Sequence, residues 1–180
     1  MRHNITRILL YFVAASLTLA AVARVFAAPQ DKMDYLTEAE ADKIRDTMSP
    51  GERIKLYVSY AEDRLTKFQY ELNRQNPDRR RDEMLNSLMN AYAGCVDDAS
   101  DQIDVAKQKQ ADIHGALKIF GDKGKGFLEI LEKLHQGSGP DYDSYKETLE
   151  DAIEGTKDAM TATEKAQKEM PAAPIRRKPS

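Results

Sequence analysis

Side chains that bind metal ions are scarce in this sequence. Only two histidines, His114 and His135, follow the apolar N-terminal segment. Glu132-Lys133-Leu134-His135 supplies one Glu-x-x-His pair, which is half of the pattern that a di-iron helical bundle needs. The second pair is absent, as are the Cys-x-x-Cys-His motif of c-type haem and the His-Glu-x-x-His motif of zinc proteases. We therefore expect no cofactor. A bundle that binds a metal ion, or a haem held by methionine and histidine, is kept as the alternative.

Residues 121–126 form a glycine-rich run with two lysines, a composition found in phosphate-binding loops. A P-loop also requires a preceding strand and the order G-x-x-x-x-G-K-[ST]. Here a helical pattern precedes the run, and Phe127 follows its last glycine. The run therefore predicts a flexible turn between two helices.

Residues for covalent or acid–base catalysis show no organised pattern. Serines are few, and none stands in a Gly-x-Ser-x-Gly elbow. Acidic residues are spread along the chain, where pairs such as Glu129 and Lys133 stabilise a helix. Neighbouring carboxylates such as Asp97 and Asp98 are common on charged helices. We expect a protein that is not an enzyme.

The single cysteine, Cys95, has no partner for an internal disulfide. It belongs to a stripe of apolar residues that recur at three- and four-residue steps, as on one face of a helix. Its members are Leu85, Leu88, Tyr92, Cys95 and Ala99. We expect Cys95 to be an inert core residue, because a buried cysteine behaves as a small hydrophobic side chain. The alternatives are a disulfide between two chains and a reactive thiol.

Tyrosines provide the candidate interaction face. Residues 56–61 are apolar or aromatic over a wider arc than the roughly 100° stripe that one core contact needs. One interpretation is a docking surface around Tyr57 and Tyr60, extended by Tyr70, because tyrosine combines contact area with a polar tip.

The other interpretation of this turn is that part of the chain covers it. A short helix that starts at Thr37 would fold back and place Ala41 and Ile44 on these tyrosines. We favour this covering, because Ile44 otherwise lacks an apolar partner.

The N-terminus has the features of a secretory leader. Arg2 and Arg7 precede an uncharged run over residues 8–23, and small residues follow it up to Ala28. The sequence predicts a signal peptide over residues 1–27, with cleavage after Ala27 and export to the periplasm or the extracellular space. A membrane association is expected only if the leader is not cleaved.

Charge excludes further classes of partner. Removing residues 1–27 takes away three arginines and no acidic residue, so 24 basic residues remain of the 27 and face 30 acidic ones, a net charge of −6. The one basic cluster, Arg79-Arg80-Arg81, is flanked by acidic residues. Nucleic acid is therefore not an expected partner.

Helical periodicity and helix-ending residues divide the remaining chain. Capping-box spacing at Thr37 and at Ser49, with Pro50 at the first helical position, predicts a short helix followed by a long one. An unbroken pattern from Asp78 to Phe120 predicts the longest helix, in which Gln110 and Gly115 are the weak positions.

Three segments of about 40 residues result, each about 60 Å long as a helix. They cover residues 37–74, 78–120 and 127–168. We expect an all-α fold, an elongated antiparallel bundle of three helical rods whose outer two are each broken once. The alternative is a compact four- or five-helix bundle, in which the long helix breaks at Gly115.

The resulting domain organisation has four parts: a signal peptide (1–27), a linker (28–36), a helical bundle domain (37–169) and a disordered tail (170–180). With enzymes and nucleic-acid binders excluded, we expect a non-catalytic protein-interaction, scaffold or chaperone-like module. Its partner would be an unknown protein or a second copy of itself.

Overall fold

Helices form the whole of the regular secondary structure in the described part of the chain. The computed structural model describes residues 35–137, 139 and 141–170. Its helices are α1 Glu38–Asp46, α2 Pro50–Leu72, α3 Arg81–Gln108, α4 His114–His135 and α5 Tyr142–Glu169. The predicted all-α bundle is confirmed.

The four long helices enclose one core. Helix α2 packs against α3 and α4, and α5 packs against the same two helices. Helices α2 and α4 start at the same end of the bundle, because a Cβ on Gly51 would lie 3.3 Å from the Ile113 side chain. Helices α3 and α5 also run in the same direction, because Lys107 and Glu169 at their C-terminal ends form an ion pair at 3.1 Å.

The predicted rod over residues 78–120 is wrong, because the chain turns between α3 and α4. Gln110 has a φ of 52°, in the left-handed region. Its N–H donates to the carbonyl of Lys107, and the N–H of Ala111 donates to that of Ala106. These two hydrogen bonds are those of a Schellman motif, which ends a helix. The bundle therefore resembles the compact alternative, but its long segment breaks at Gln110 and Gly115 lies within α4.

The predicted turn over residues 121–126 is also wrong, because this run lies within α4. A Cβ on Gly124 would lie 3.0 Å from Cγ of Met160, so glycine lets α4 approach α5 closely. Buried side chains on either side of the run carry the helix through it; they are Leu117, Phe120, Phe127 and Leu131.

The N-terminal helix starts as predicted. The Thr37 hydroxyl accepts a hydrogen bond from the Glu40 N–H at 3.3 Å, and the Glu40 carboxylate accepts one from the Thr37 N–H at 2.8 Å. This capping box is confirmed. Pro50 occupies the first helical position of α2 as predicted, but the Ser49 side chain makes no capping hydrogen bond.

The centre of the core joins three of the long helices. Tyr92 of α3 is fully buried, and its ring packs edge-to-face on Phe127 of α4 at a centroid distance of 5.7 Å. Its hydroxyl shares a hydrogen bond of 2.7 Å with Thr156 of α5. The Thr156 hydroxyl also donates to the carbonyl of Ala152. The tyrosine hydroxyl is thus buried with a partner, as a polar group in a core must be.

Several predictions fall on residues that are not described. The signal peptide over residues 1–27, most of the linker over residues 28–36 and the tail after Met170 lie outside the described residues. Met170 itself caps the C-terminus of α5 and packs against the core. None of the five described helices has the length and apolar character that a membrane span requires.

The turn at Gln110 can be tested with a glycine. Because a left-handed conformation costs a residue with a side chain about 1 kcal/mol, Gln110→Gly should raise the free energy of unfolding by about that amount. The Gln110 side chain is exposed, so its removal costs no packing. Chemical denaturation measures the change. In a continuous helix the same substitution would lower the free energy of unfolding by about 1 kcal/mol.

Gly115→Ala is the matched control, since a Cβ at this position meets no atom within 4 Å. It should leave the stability unchanged or raise it by up to about 1 kcal/mol. A loss of stability for this variant would contradict the helical assignment of residue 115.

Candidate functional site

The three tyrosines of the predicted interaction face lie in different environments on α2. Tyr57 is buried, with 3% of its surface exposed, and Tyr60 is half-buried. Tyr70 is 67% exposed. They do not form one surface, and of the three only Tyr70 offers most of its ring to a partner.

The N-terminal segment covers the turn that contains Tyr57. We name residues 35–46 the N-terminal strap. Ile44 of the strap is buried and belongs to the same apolar cluster as Tyr57, while Ala41 is half-buried. The arrangement agrees with the covering interpretation of the sequence, so Tyr57 contributes to the core rather than to an exposed face.

A buried ion pair fixes the strap to α2. The Arg64 guanidinium, 5% exposed, donates to both carboxylate oxygens of Glu40, at 2.5 and 3.0 Å. It also donates to the carboxylate of Asp63 at 2.6 Å. Burial by itself would raise the pKa of Glu40, but the hydrogen bonds from Arg64 and Thr37 together outweigh it and hold that pKa below its ordinary value. Glu40 is therefore a carboxylate at neutral pH.

A tyrosine at the start of the strap fixes it to α3. The Tyr35 hydroxyl donates to the carboxylate of Asp98. A Cβ on Gly94 would lie 2.7 Å from the Tyr35 ring, so only glycine leaves room for the ring at this point of α3. Tyr57 also hydrogen-bonds to Asp98, and burial and this carboxylate raise the pKa of both tyrosines. Both hydroxyls therefore stay protonated and act as donors.

Cys95 lies on α3 between Gly94 and Asp98 in this region and has no exposed surface. Burial raises the pKa of its thiol to about 12, so the thiolate that would react as a nucleophile is not formed at neutral pH. The predicted burial of Cys95 is confirmed.

The sequence did not reveal the residues that hold the strap. Tyr35 falls in the predicted linker, and Glu40 is separated from Arg64 by 24 positions. The only sequence signal is Gly94, since a glycine inside a strong helical pattern often marks a close approach of another group.

Tyr70 stands beside a groove between α2 and α4. The groove has a volume of about 270 Å³, and its apolar lining is Leu65, Phe127 and Ile130. Gly126 has no atom within 4 Å of a Cβ position, so the groove is open above it.

Thr66 and Gln69 line both this groove and the shallow depression around Tyr70. The two therefore form one continuous area. We name it the Tyr70 surface; it comprises the groove together with Thr66, Gln69, Tyr70, Asn73 and Arg74.

The Glu-x-x-His pair on α4 is engaged in other contacts. His135 Nδ1 lies 3.2 Å from the Tyr142 hydroxyl, and Glu132 forms an ion pair with Lys157 at 3.3 Å. His114 Nδ1 lies 2.8 Å from an Asp112 carboxylate oxygen. Across the described residues, no three histidine, cysteine or acidic side chains are grouped so that they could hold a metal ion.

The strap contact should make stability depend on pH. The folded-state pKa of Glu40 is lowered, so the pair stabilises the fold fully above pH 4.5 and progressively less as the pH falls below it. Glu40→Gln should lower the free energy of unfolding by about 2 kcal/mol at pH 7. Thermal unfolding of both proteins from pH 3 to 7 measures the difference. A difference that stays constant over this range would contradict the role of the carboxylate.

The close contact between the Tyr35 ring and Gly94 predicts that Gly94→Ala changes the stability in opposite directions with and without this ring. Gly94→Ala should lower the free energy of unfolding by about 1 kcal/mol or more, because the new methyl group displaces the Tyr35 ring. With Tyr35→Ala already present, Gly94→Ala should instead raise it by up to about 1 kcal/mol, the ordinary preference of a helix for alanine. A double-mutant cycle by chemical denaturation measures both. Equal effects in the two backgrounds would show that the ring does not lie on Gly94.

Comparison of the chain with protein-family models, with curated proteins and with solved structures finds no match.

Proposed function

We propose that the protein is an exported, non-catalytic module that binds another protein through the Tyr70 surface. The observation that carries the proposal is the 67% exposure of Tyr70 directly beside the groove between α2 and α4. The predicted leader supports action in the periplasm or the extracellular space.

The side chains of the Tyr70 surface have the character of a protein interface. Tyrosine and arginine are enriched among residues that dominate binding energy, and Arg74 follows Tyr70 by four positions, just beyond the C-cap of α2. Thr66 and Asn73 already donate to the backbone carbonyls of Glu62 and Gln69. Because the Thr66 hydroxyl has a partner, a binding protein covers it without leaving its donor unsatisfied, while the Asn73 amide keeps one N–H for a bond to the partner.

The groove provides a place for an anchor from the partner. An apolar side chain that entered it would contact Leu65, Phe127 and Ile130. Lys123 and Glu62, which also line it, are joined by an ion pair at 2.5 Å. An apolar floor with a paired polar rim is the arrangement found at the centre of protein interfaces.

The surface is held in place by the turn after α2. Arg81 donates to the backbone carbonyls of Leu72 and Arg74, and it pairs with Asp141 at the start of α5 at 3.3 Å. Holding the C-terminal end of α2 in this way orders the surface before binding, so less entropy is lost when a partner binds.

A photo-crosslinking amino acid at position 70 tests the proposal in cells that export the protein. The control carries the same amino acid at position 119, because Ile119 is 40% exposed and lies outside the Tyr70 surface. We expect a product of defined mass from position 70 only. A product that contains two copies of this chain would identify self-association.

With the crosslinked partner purified, Tyr70→Ala should weaken binding by at least about tenfold, because a central tyrosine typically contributes more than 1.4 kcal/mol. Ile119→Ala, which removes an exposed apolar side chain outside the Tyr70 surface, should leave the affinity unchanged. Calorimetry measures both. Equal affinities for the parent protein and Tyr70→Ala would refute the proposed surface.

A further inference from the structure

The strap is a separate piece that specific contacts hold on the bundle. Only three residues, Thr47 to Ser49, connect it to α2, and Met48 in this connection is 86% exposed. Besides the contacts with α2 and α3 already described, the Arg53 side chain of α2 donates to the carbonyl of Thr47 in this connection at 2.6 Å. We call the surface beneath the strap the seat; it comprises Tyr57, Arg64, Gly94, Cys95 and Asp98.

The seat fits the chemistry of the strap closely. Arg64 requires a carboxylate at the position of Glu40, and Gly94 with Asp98 requires an aromatic ring that carries a hydroxyl at the position of Tyr35. An aliphatic side chain is needed where Ile44 is buried. Residues 35–46 supply the three groups together: the ring of Tyr35, the carboxylate of Glu40 and the aliphatic side chain of Ile44.

An empty seat is unfavourable. Arg64 would lose three hydrogen bonds, the two that it makes with the Glu40 carboxylate and the one to the Tyr35 carbonyl at 3.4 Å, and would keep its pair with Asp63. The surface over Cys95 and the ring of Tyr57 would be opened to water. A molecule whose strap has left therefore gains by taking up another segment of the same chemistry.

The connection does not allow the strap to continue α2 as one helix. Pro50 restricts the residue before it to an extended backbone, and Ser49 has φ −82° and ψ 125°. A strap that leaves its own seat therefore does not form one continuous helix with α2. It is then free to reach the seat of a second copy.

We infer that the strap exchanges between two copies of this chain, so that residues 35–46 of each copy occupy the seat of the other. Both forms make the same contacts in the seat and differ in the connection over residues 47–49. Exchange of an identical element is a low-cost route to a symmetric dimer, and short connections favour it. The inference does not depend on the Tyr70 surface.

Reversing the Glu40–Arg64 pair tests the exchange directly. Glu40→Arg places two arginines opposite each other, at positions 40 and 64, and Arg64→Glu brings three carboxylates together, at positions 40, 63 and 64. Each purified variant alone should release its strap, and a thiol reagent should label Cys95 at least tenfold faster than in the parent protein.

Mixing the two variants should restore both seats by exchange. The strap of the Glu40→Arg variant then occupies the seat of the Arg64→Glu variant, where the charges at positions 40 and 64 are opposite. The strap of the Arg64→Glu variant occupies the seat of the Glu40→Arg variant, and this pair has the native residues Glu40 and Arg64. We expect a heterodimer by light scattering, in which labelling of Cys95 returns to within about twofold of the parent rate.

The matched control carries Glu40→Arg and Arg64→Glu in one chain. It should match the parent protein in oligomeric state and have protected Cys95, because strap and seat again carry opposite charges. If this control is protected but the mixed variants stay monomeric and reactive, the inference is overturned. A dimer in which Cys95 stays reactive also overturns it, because the copies would then associate through another surface.

A second test does not require the pair to be inverted. Deletion of Met48 shortens the connection, so that the strap cannot turn back onto its own seat, and should give a dimer with protected Cys95. Insertion of four Gly and Ser residues after Met48 should give a monomer that is equally protected. A monomer from the deletion overturns the inference, whether or not its Cys95 reacts.

Discussion

The left-handed backbone at Gln110 determines how the long helices are arranged, because it reverses the chain between α3 and α4. A straight continuation would carry Leu117 and Phe120 away from the core. With the reversal, α4 starts beside the first turn of α2, where Ile113 meets Gly51, and the two helices run in the same direction. The groove beside Tyr70 exists only because α4 lies next to α2. The core contact between Tyr92 and Phe127 has the same origin.

Local rules predicted well the parts of this fold that local interactions determine. The capping box at Thr37, the position of Pro50 and the burial of Cys95 depend on residues within one or two helical turns, and the pattern of the sequence contains that information. The position of the turn between α3 and α4 could not be predicted from local rules in the same way. Gln110 has no special preference for a left-handed conformation, whereas the glycines of residues 121–126 do. Tertiary packing keeps residues 121–126 helical in spite of their glycines, since Gly124 lies against Met160 inside a helix.

The candidate sites were harder to predict than the helices, for a physical reason. Apolar periodicity reports which face of a helix is buried, but it does not report what covers that face. Tyr57 and Tyr60 were singled out because the apolar arc of α2 is too wide for one contact, and the strap accounts for the excess. The buried pair of Arg64 with Glu40 has no signature in the sequence, since long charged side chains are usually solvated. Tyr35 is a single aromatic residue outside any periodic pattern.

The strap and the Tyr70 surface lie on different sides of the same helix. Six residues separate Arg64 from Tyr70, which places their side chains about 120° apart around the axis of α2. The core stripe of α2, which includes Ala61, Leu65 and Phe68, occupies the wider of the two arcs between these sides. Helix α2 therefore has three separate contact faces: the core, the seat and an open face. Because neither outer face shares a side chain with the other, a partner on Tyr70 does not compete with the strap. Cys95 belongs to the seat and not to the Tyr70 surface, so we expect the reactivity of this thiol to respond to the strap and not to a partner at Tyr70.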